Sequence, residues 1–140
     1  MNEDLYRLVY CSRNRVQGTP HEVGASIREM VEQSSKNNQR HGITGALVFN
    51  AGIYAQVLEG RLLDVETIFN KIKQDARHGE VLLLNVGAVR QRQFGGWSMA
   101  FADTGLDDRA PEITQILEQA FAHPSEAVRP VTDLLRRLAV

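Results

Sequence analysis

The chain has 140 residues, 43% apolar and 24% charged, with 16 basic and 17 acidic side chains and a formal net charge of -1. That size fits one globular domain, and scattered basic residues give no reason to expect nucleic acid. No apolar run nears the roughly 20 residues of a membrane-spanning helix, and a lone cysteine, Cys11, excludes an intrachain disulfide.

The opening "MNEDLYRLVY" lacks the basic start and long apolar core of a signal peptide, so the cytoplasm is the expected location. Residues 5–11, "LYRLVYC", read as a strand because aromatic and branched side chains are dense there. "TPHE" then opens a helix: Thr19 caps it, Pro20 suits its first position, and Glu22 completes a capping box. Val23, Ile27, Met30, Val31 and Ser34 keep helical spacing to about Asn38, and Gly42 marks the break. "ITGALVF" (43–49) and "IYAQVLE" (53–59) read as strands joined by the three-residue connection Asn50-Ala51-Gly52.

A second helix begins between Arg61 and Asp64 and carries Val65, Ile68, Phe69 and Ile72. It is expected to end near "DARHG", with Gly79 beyond its last turn. "VLLLNVGAV" (81–89) is apolar enough for a strand buried on both faces. "WSMAFA" (97–102) is the fifth strand, with Trp97, Met99 and Phe101 on one parity. Pro111 opens a helix bearing Ile113, Ile116, Leu117, Ala120 and Phe121. Ser125 can cap another, which Pro130 either starts or kinks, with Val131, Leu134, Leu135 and Leu138 on its apolar face.

The order βαββαββ predicts an α+β, ferredoxin-like architecture: a five-stranded mixed sheet with two helices on one face. The other face needs cover, and the C-terminal helices are expected to supply it. The division is residues 1–103 as one domain and residues 104–140 as a helical cap and output segment.

The four histidines, at 21, 41, 78 and 123, show no metal-ligand spacing, and no phosphate-binding or nucleophile motif appears. Nothing near Cys11 in sequence lowers its pKa, so it reads as core packing. What stands out is polar side chains where burial is expected. Tyr10 ends an apolar strand, Gln56 interrupts another, and Asn37 and Asn38 sit late in a helix that asparagine disfavours. Singly, each has a bland explanation: a core tyrosine, a strand-bonded amide, surface capping. Together they suit a polar, planar ligand whose edge needs both donors and acceptors.

The motifs "YRLVY" (6–10), "SSKNNQRHGITGALVF" (34–49), "YAQVLEG" (54–60), "IKQDARH" (72–78) and "RQFGGWSM" (92–99) together resemble the BLUF family of blue-light sensors. The resemblance covers about residues 5–102 and is of the short, single-domain type. It implies a flavin held non-covalently between the two helices: FAD, with FMN or riboflavin as alternatives. It makes Tyr10 the photochemical electron and proton donor and Gln56 the amide between tyrosine and flavin. Asn38 would bond the flavin edge, with Asn37 beside it, while Met30 and Ile72 would sandwich the ring. Asp75, Arg77 and His78 would lie close to the ring and its tail. Lys71 stands where some relatives carry an arginine, which keeps the charge but not the geometry. Trp97 and Met99 fall where residues of that strand exchange places near the glutamine, and either one can be the nearer.

The implied function is a blue-light photoreceptor, not an enzyme, whose light-driven proton and electron transfer rearranges Gln56. Its partners would be flavin and an unidentified downstream protein, with no membrane and a homodimer allowed. The rival readings are a ferredoxin-like regulatory module for a small metabolite and a flavin oxidoreductase.

Overall fold

The computed structural model describes residues 4–103 and 110–139; the expected domain boundary at 103/104 lies at the edge of these residues. In chain order the elements are β1 (Leu5–Asn14), α1 (Pro20–Arg40), β2 (Thr44–Asn50), β3 (Ile53–Gly60), α2 (Leu62–Gln74), β4 (His78–Val89), β5 (Ala100–Asp103), α3 (Ala110–Ala122) and α4 (Val128–Leu138). They form one five-stranded mixed sheet of order β4-β1-β3-β2-β5, antiparallel except for the parallel β2–β5 pair.

The sheet is a centre layer. Every residue of β3 is buried, and strand alternation sends its side chains to opposite faces. Leu8, Tyr10 and Leu58 pack with Val65 and Phe69 of α2, while Leu47 and Tyr54 pack with Ile27 and Met30 of α1. Val9, Cys11, Val48, Ala55 and Val57 meet Ile113, Leu117, Val131, Leu134 and Leu135 of α3 and α4 on the other face. Arg13 helps to dock α3: its guanidinium lies 4.3 Å from the Phe121 ring centre and 3.5 Å from Glu118. Cys11 is fully buried, and burial pushes its thiol up to about 12.

Helix α1 starts as its sequence dictates. The Thr19 hydroxyl accepts from the Glu22 amide, and the Glu22 carboxylate accepts from the Thr19 amide, so two otherwise unpaired donors are satisfied. The helix runs two residues past Asn38 to Arg40 before Gly42 turns at φ +65°.

Several expectations are corrected. The β2–β3 connection has two residues, since Asn50 pairs with Ile53; Ala51 and Gly52 both take positive φ, which matches hairpin twist. Helix α2 stops at Gln74 because the Asp75 carboxylate captures the Arg77 amide at 2.9 Å and turns the chain. Gly79 is therefore a strand residue paired with Arg13, and the Arg15 side chain lies where a Cβ would stand.

Strand β4 is an edge strand, and Leu83 and Val86 are exposed, so it is not buried on both faces. Two register shifts bulge it against β1, one beside Glu80 at φ +45°. Strand β5 begins only at Ala100, which leaves Trp97 outside it. Ser125 lies in a single 3-10 turn and makes no cap bond to α4; Pro130 falls in that helix's first turn, where its missing N–H has no helical acceptor to lose.

Candidate functional site

Helices α1 and α2 pack on the same face of the sheet, and between them lies a cleft of about 290 Å³. Its floor is Tyr10, Leu47 and Gln56 from three adjacent strands. Met30, Asn37 and Asn38 line the α1 side, and Ile68, Lys71 and Ile72 the α2 side. Asp75, Arg77 and His78, from the junction of α2 and β4, complete the lining. Ten residues singled out in the sequence thus stand around one cavity. The pairing register explains the floor: Tyr10 lies directly opposite Gln56, and Gln56 opposite Leu47.

The Tyr10 hydroxyl donates to Gln56 Oε1, and Gln56 Nε2 donates to Met99 Sδ at 3.5 Å. Both Tyr10 and Gln56 are buried. Burial, aided by the negative charge that Cys11, Tyr54 and Asp75 can carry, pushes the Tyr10 phenol well above its ordinary pKa. The hydroxyl therefore keeps its proton. The amide has a strong acceptor on one side and holds a soft, weak acceptor with the other. Turning it over would bring its NH2 to the phenol oxygen, which can accept.

Asn38 is buried, not a surface cap. Its Nδ2 donates to the Ser98 carbonyl at 2.8 Å, and the Ser35 and Ser98 hydroxyls lie 2.6 Å apart. Asn37 is half-buried on the same lining. Of the two candidates that follow Ser98 or precede it, Met99 reaches Gln56. Trp97 is 39% exposed, and its carbonyl accepts from the Gly45 amide at 3.1 Å.

In the turn between α2 and β4, the Arg77 guanidinium grips Asp75 at 2.6–3.1 Å and holds its carboxyl below the usual range. His78 is buried, and its Nδ1 lies 2.8 Å from the Ser12 hydroxyl. Burial lowers its pKa, with Arg77 adding to the effect and Asp75 opposing it. The His78 ring also packs on Tyr54 (4.7 Å between centres) and stands edge-on to Tyr10 (6.4 Å). Tyr54 donates to Asn14 at 2.8 Å, and burial pushes its phenol up to about 12.

Sequence reasoning missed Gln33, Ser34, Leu47 and Ile68, which also line the cleft. Gln33 and Ser34 lie one turn before Asn37 and Asn38 on α1, so helical spacing from the asparagines would have found them. Ser12 and Ser98 carry no sequence signal; their roles arise from contacts 66 and 60 residues away.

The cleft suits a flat heteroaromatic ring. Met30 faces it from one helix and Ile68 and Ile72 from the other, while Asn37, Asn38, Gln56 and Lys71 offer polar atoms to an edge.

A family model described as "BLUF: Sensors of blue-light using FAD" matches residues 5–100. Among curated proteins, the chain is 31% identical over 93 residues to the blue light- and temperature-regulated antirepressor BluF of Escherichia coli, covering 66% of this chain and 23% of that protein. It is 29% identical over 117 residues to photoactivated adenylate cyclase subunit beta of Euglena longa, covering 83% and 13%. The chain thus spans less than a quarter of the length of these two relatives. Among solved structures, dark-state BlrB superposes with a TM-score of 0.78 at 25% identity, over 97% of this chain and 98% of that one. A bacterial light-regulated adenylyl cyclase gives 0.73 at 27% identity, over 96% and 40%.

Proposed function

The chain belongs to the BLUF family, the sensors of blue light using FAD, and on that premise we propose that Tyr10, Gln56 and Met99 form its light switch. One observation carries the reading: a phenol and an amide on the floor of the cleft between α1 and α2 are joined in series with the Met99 thioether. Bound there, FAD supplies blue-light absorption and an excited ring able to oxidise a nearby phenol. Asn37, Asn38 and Lys71 would hold its polar edge, Met30 and Ile72 its faces, and Asp75, Arg77 and His78 the end toward its tail.

Tyr10 is the electron and proton donor, and its buried, fully protonated hydroxyl has the proton ready. Gln56 responds by rotating or tautomerising, which exchanges its donor and acceptor ends. Met99 releases the NH2 easily because sulfur is a weak acceptor. The electron and proton return to Tyr10 once the amide has changed, so no net oxidation and no covalent adduct remain. The change is therefore expected to reverse in the dark.

Met99 leads into β5, whose Ala100 and Ala102 pack against the core shared with α3 and α4. We place the output there, with residues 104–140 as the segment a separate cytoplasmic partner protein reads. The chain itself then acts as a sensor without catalysing a reaction. The named relatives include an antirepressor and cyclases, so domains of this kind serve different effectors.

The test is spectroscopic. Purified protein supplied with FAD is expected to take it up at one per chain, be yellow, and shift its flavin band to the red under blue light. A protein that takes up no flavin would sink the proposal. So would a flavin band that stays put in light, or one that is bleached by NAD(P)H and reoxidised by a substrate.

A further inference from the structure

Residues 90–99 run from one edge of the sheet to the other, and a buried carboxylate holds them on the way. Glu59 is fully buried, three residues beyond Gln56 on β3 and therefore on the opposite face. Its carboxylate accepts from the Arg7 guanidinium at 2.8 Å, from the Gln93 amide at 3.0 and 3.1 Å, and from the Phe94 amide at 2.9 Å. Arg92 braces the same segment from outside, donating to the Gly42 carbonyl, the Glu59 carbonyl and the Thr44 hydroxyl at 2.8–2.9 Å.

Beyond this clamp, Phe94 is fully buried in the α3/α4-side core, and its carbonyl accepts from the Trp97 amide at 3.2 Å. The Trp97 carbonyl then takes the Gly45 amide. The next two residues are Ser98, the acceptor for Asn38, and Met99, the contact of Gln56.

We infer that Glu59 is a positioning residue for the light switch, fixing residues 92–98 and so setting where Ser98 and Met99 stand against Asn38 and Gln56. The inference rests on the function proposed above. Its physical basis is a common reference: Gln56 and Glu59 sit on one fully buried strand, so the amide that moves and the clamp on its partner are measured against the same backbone. A buried carboxylate left without donors is costly, and charge-assisted bonds to backbone N–H groups are strong. Met99 therefore has little freedom to drift from Gln56 while the clamp is closed.

The test compares the native, FAD-loaded chain with Glu59→Gln and with Arg92→Ala, whose side chain braces the segment from the surface. Flavin content, dark exchange of the Gln93 and Phe94 amides, the light-induced shift and the dark recovery rate are measured together. Both variants are expected to bind FAD, exchange those amides about tenfold faster, and recover in the dark about fivefold faster. Should Glu59→Gln fail to fold, Arg92→Ala carries the comparison on the same readouts.

Amides that exchange faster while shift and recovery stay within about twofold of native would make the clamp merely structural and overturn the inference. Amides that exchange at the native rate in both variants overturn it too. A native chain with no light-induced shift would overturn the proposed function and this inference together, whereas a normal native cycle with unaltered variants removes Glu59 alone.

Discussion

Gln56 has different neighbours at its two ends: a hydroxyl that donates to its carbonyl and a sulfur that its NH2 reaches at 3.5 Å. Gln56→Leu keeps the volume but strands the Tyr10 hydroxyl, at a cost of about 1–3 kcal/mol. The variant is expected to fold and bind FAD yet lose the native red shift; an unchanged shift would remove the amide from the mechanism. His78 gives the site a pH limit. Its folded pKa lies below the ordinary imidazole value of about 6.5, so below that pH the unfolded chain binds a proton that the folded chain refuses. Stability therefore falls as pH drops from about 6.5 toward the lowered folded value. Asp75, also depressed, adds a loss in the same direction at lower pH, from about 4 downward. Thermal melts should be level between pH 7 and 8 and decline below 6.5, and His78→Gln should flatten the upper part of that decline. A melting temperature rising toward pH 5.5 would contradict the assignment. Tyr10, Gln56 and Asn38 were legible in the sequence because each is polar among apolar neighbours. Glu59 does not stand out inside "YAQVLEG", because the groups that justify its burial come from Arg7, Gln93 and Phe94, far away in the chain.

Elements with a local cause could be read directly. The α1 start needs only Thr19, Pro20 and Glu22, and all three act as their chemistry predicts. Strand β4 could not be read so well, because an apolar run is the same string whether it is central or at an edge. Its exposure follows from strand order, which long-range pairing decides. The expected strand at 97–102 failed at its start for a related reason. The Gly45 amide of β2 bonds to the Trp97 carbonyl, out of the register that pairs Ala46 with Ala100, so the regular β2–β5 ladder begins only at Ala100. Gly45 itself is a sharp test of that packing. The Val57 carbonyl occupies the space a Cβ would need, and backbone cannot move aside cheaply. Gly45→Ala is expected to destabilise the chain by about 3 kcal/mol or more, beyond an ordinary point substitution. A denaturation midpoint equal to that of the native chain would show that β2 has room to shift.

Across the whole molecule, the sheet separates the cleft from α3 and α4, so the proposed change at Gln56 would have to cross or skirt it to reach them. The expectation that the C-terminal helices cover the second face agrees with the shared core of Val9, Val48, Ala55, Val57, Leu117 and Leu134. Removing residues 104–140 should expose that face and cause aggregation, measured by light scattering; a monomeric, cooperatively folding remainder would mean the helices are dispensable to the core. If β5 carries the signal, dark and lit protein should differ in amide exchange within residues 97–139, and identical exchange would break the proposed relay. The most direct measurement is the light-minus-dark absorption spectrum of the FAD-loaded native chain beside that of Tyr10→Phe. A reversible red shift is expected in the native protein, with its loss in a variant that still holds FAD; the same reversible shift in both would remove Tyr10 from the switch.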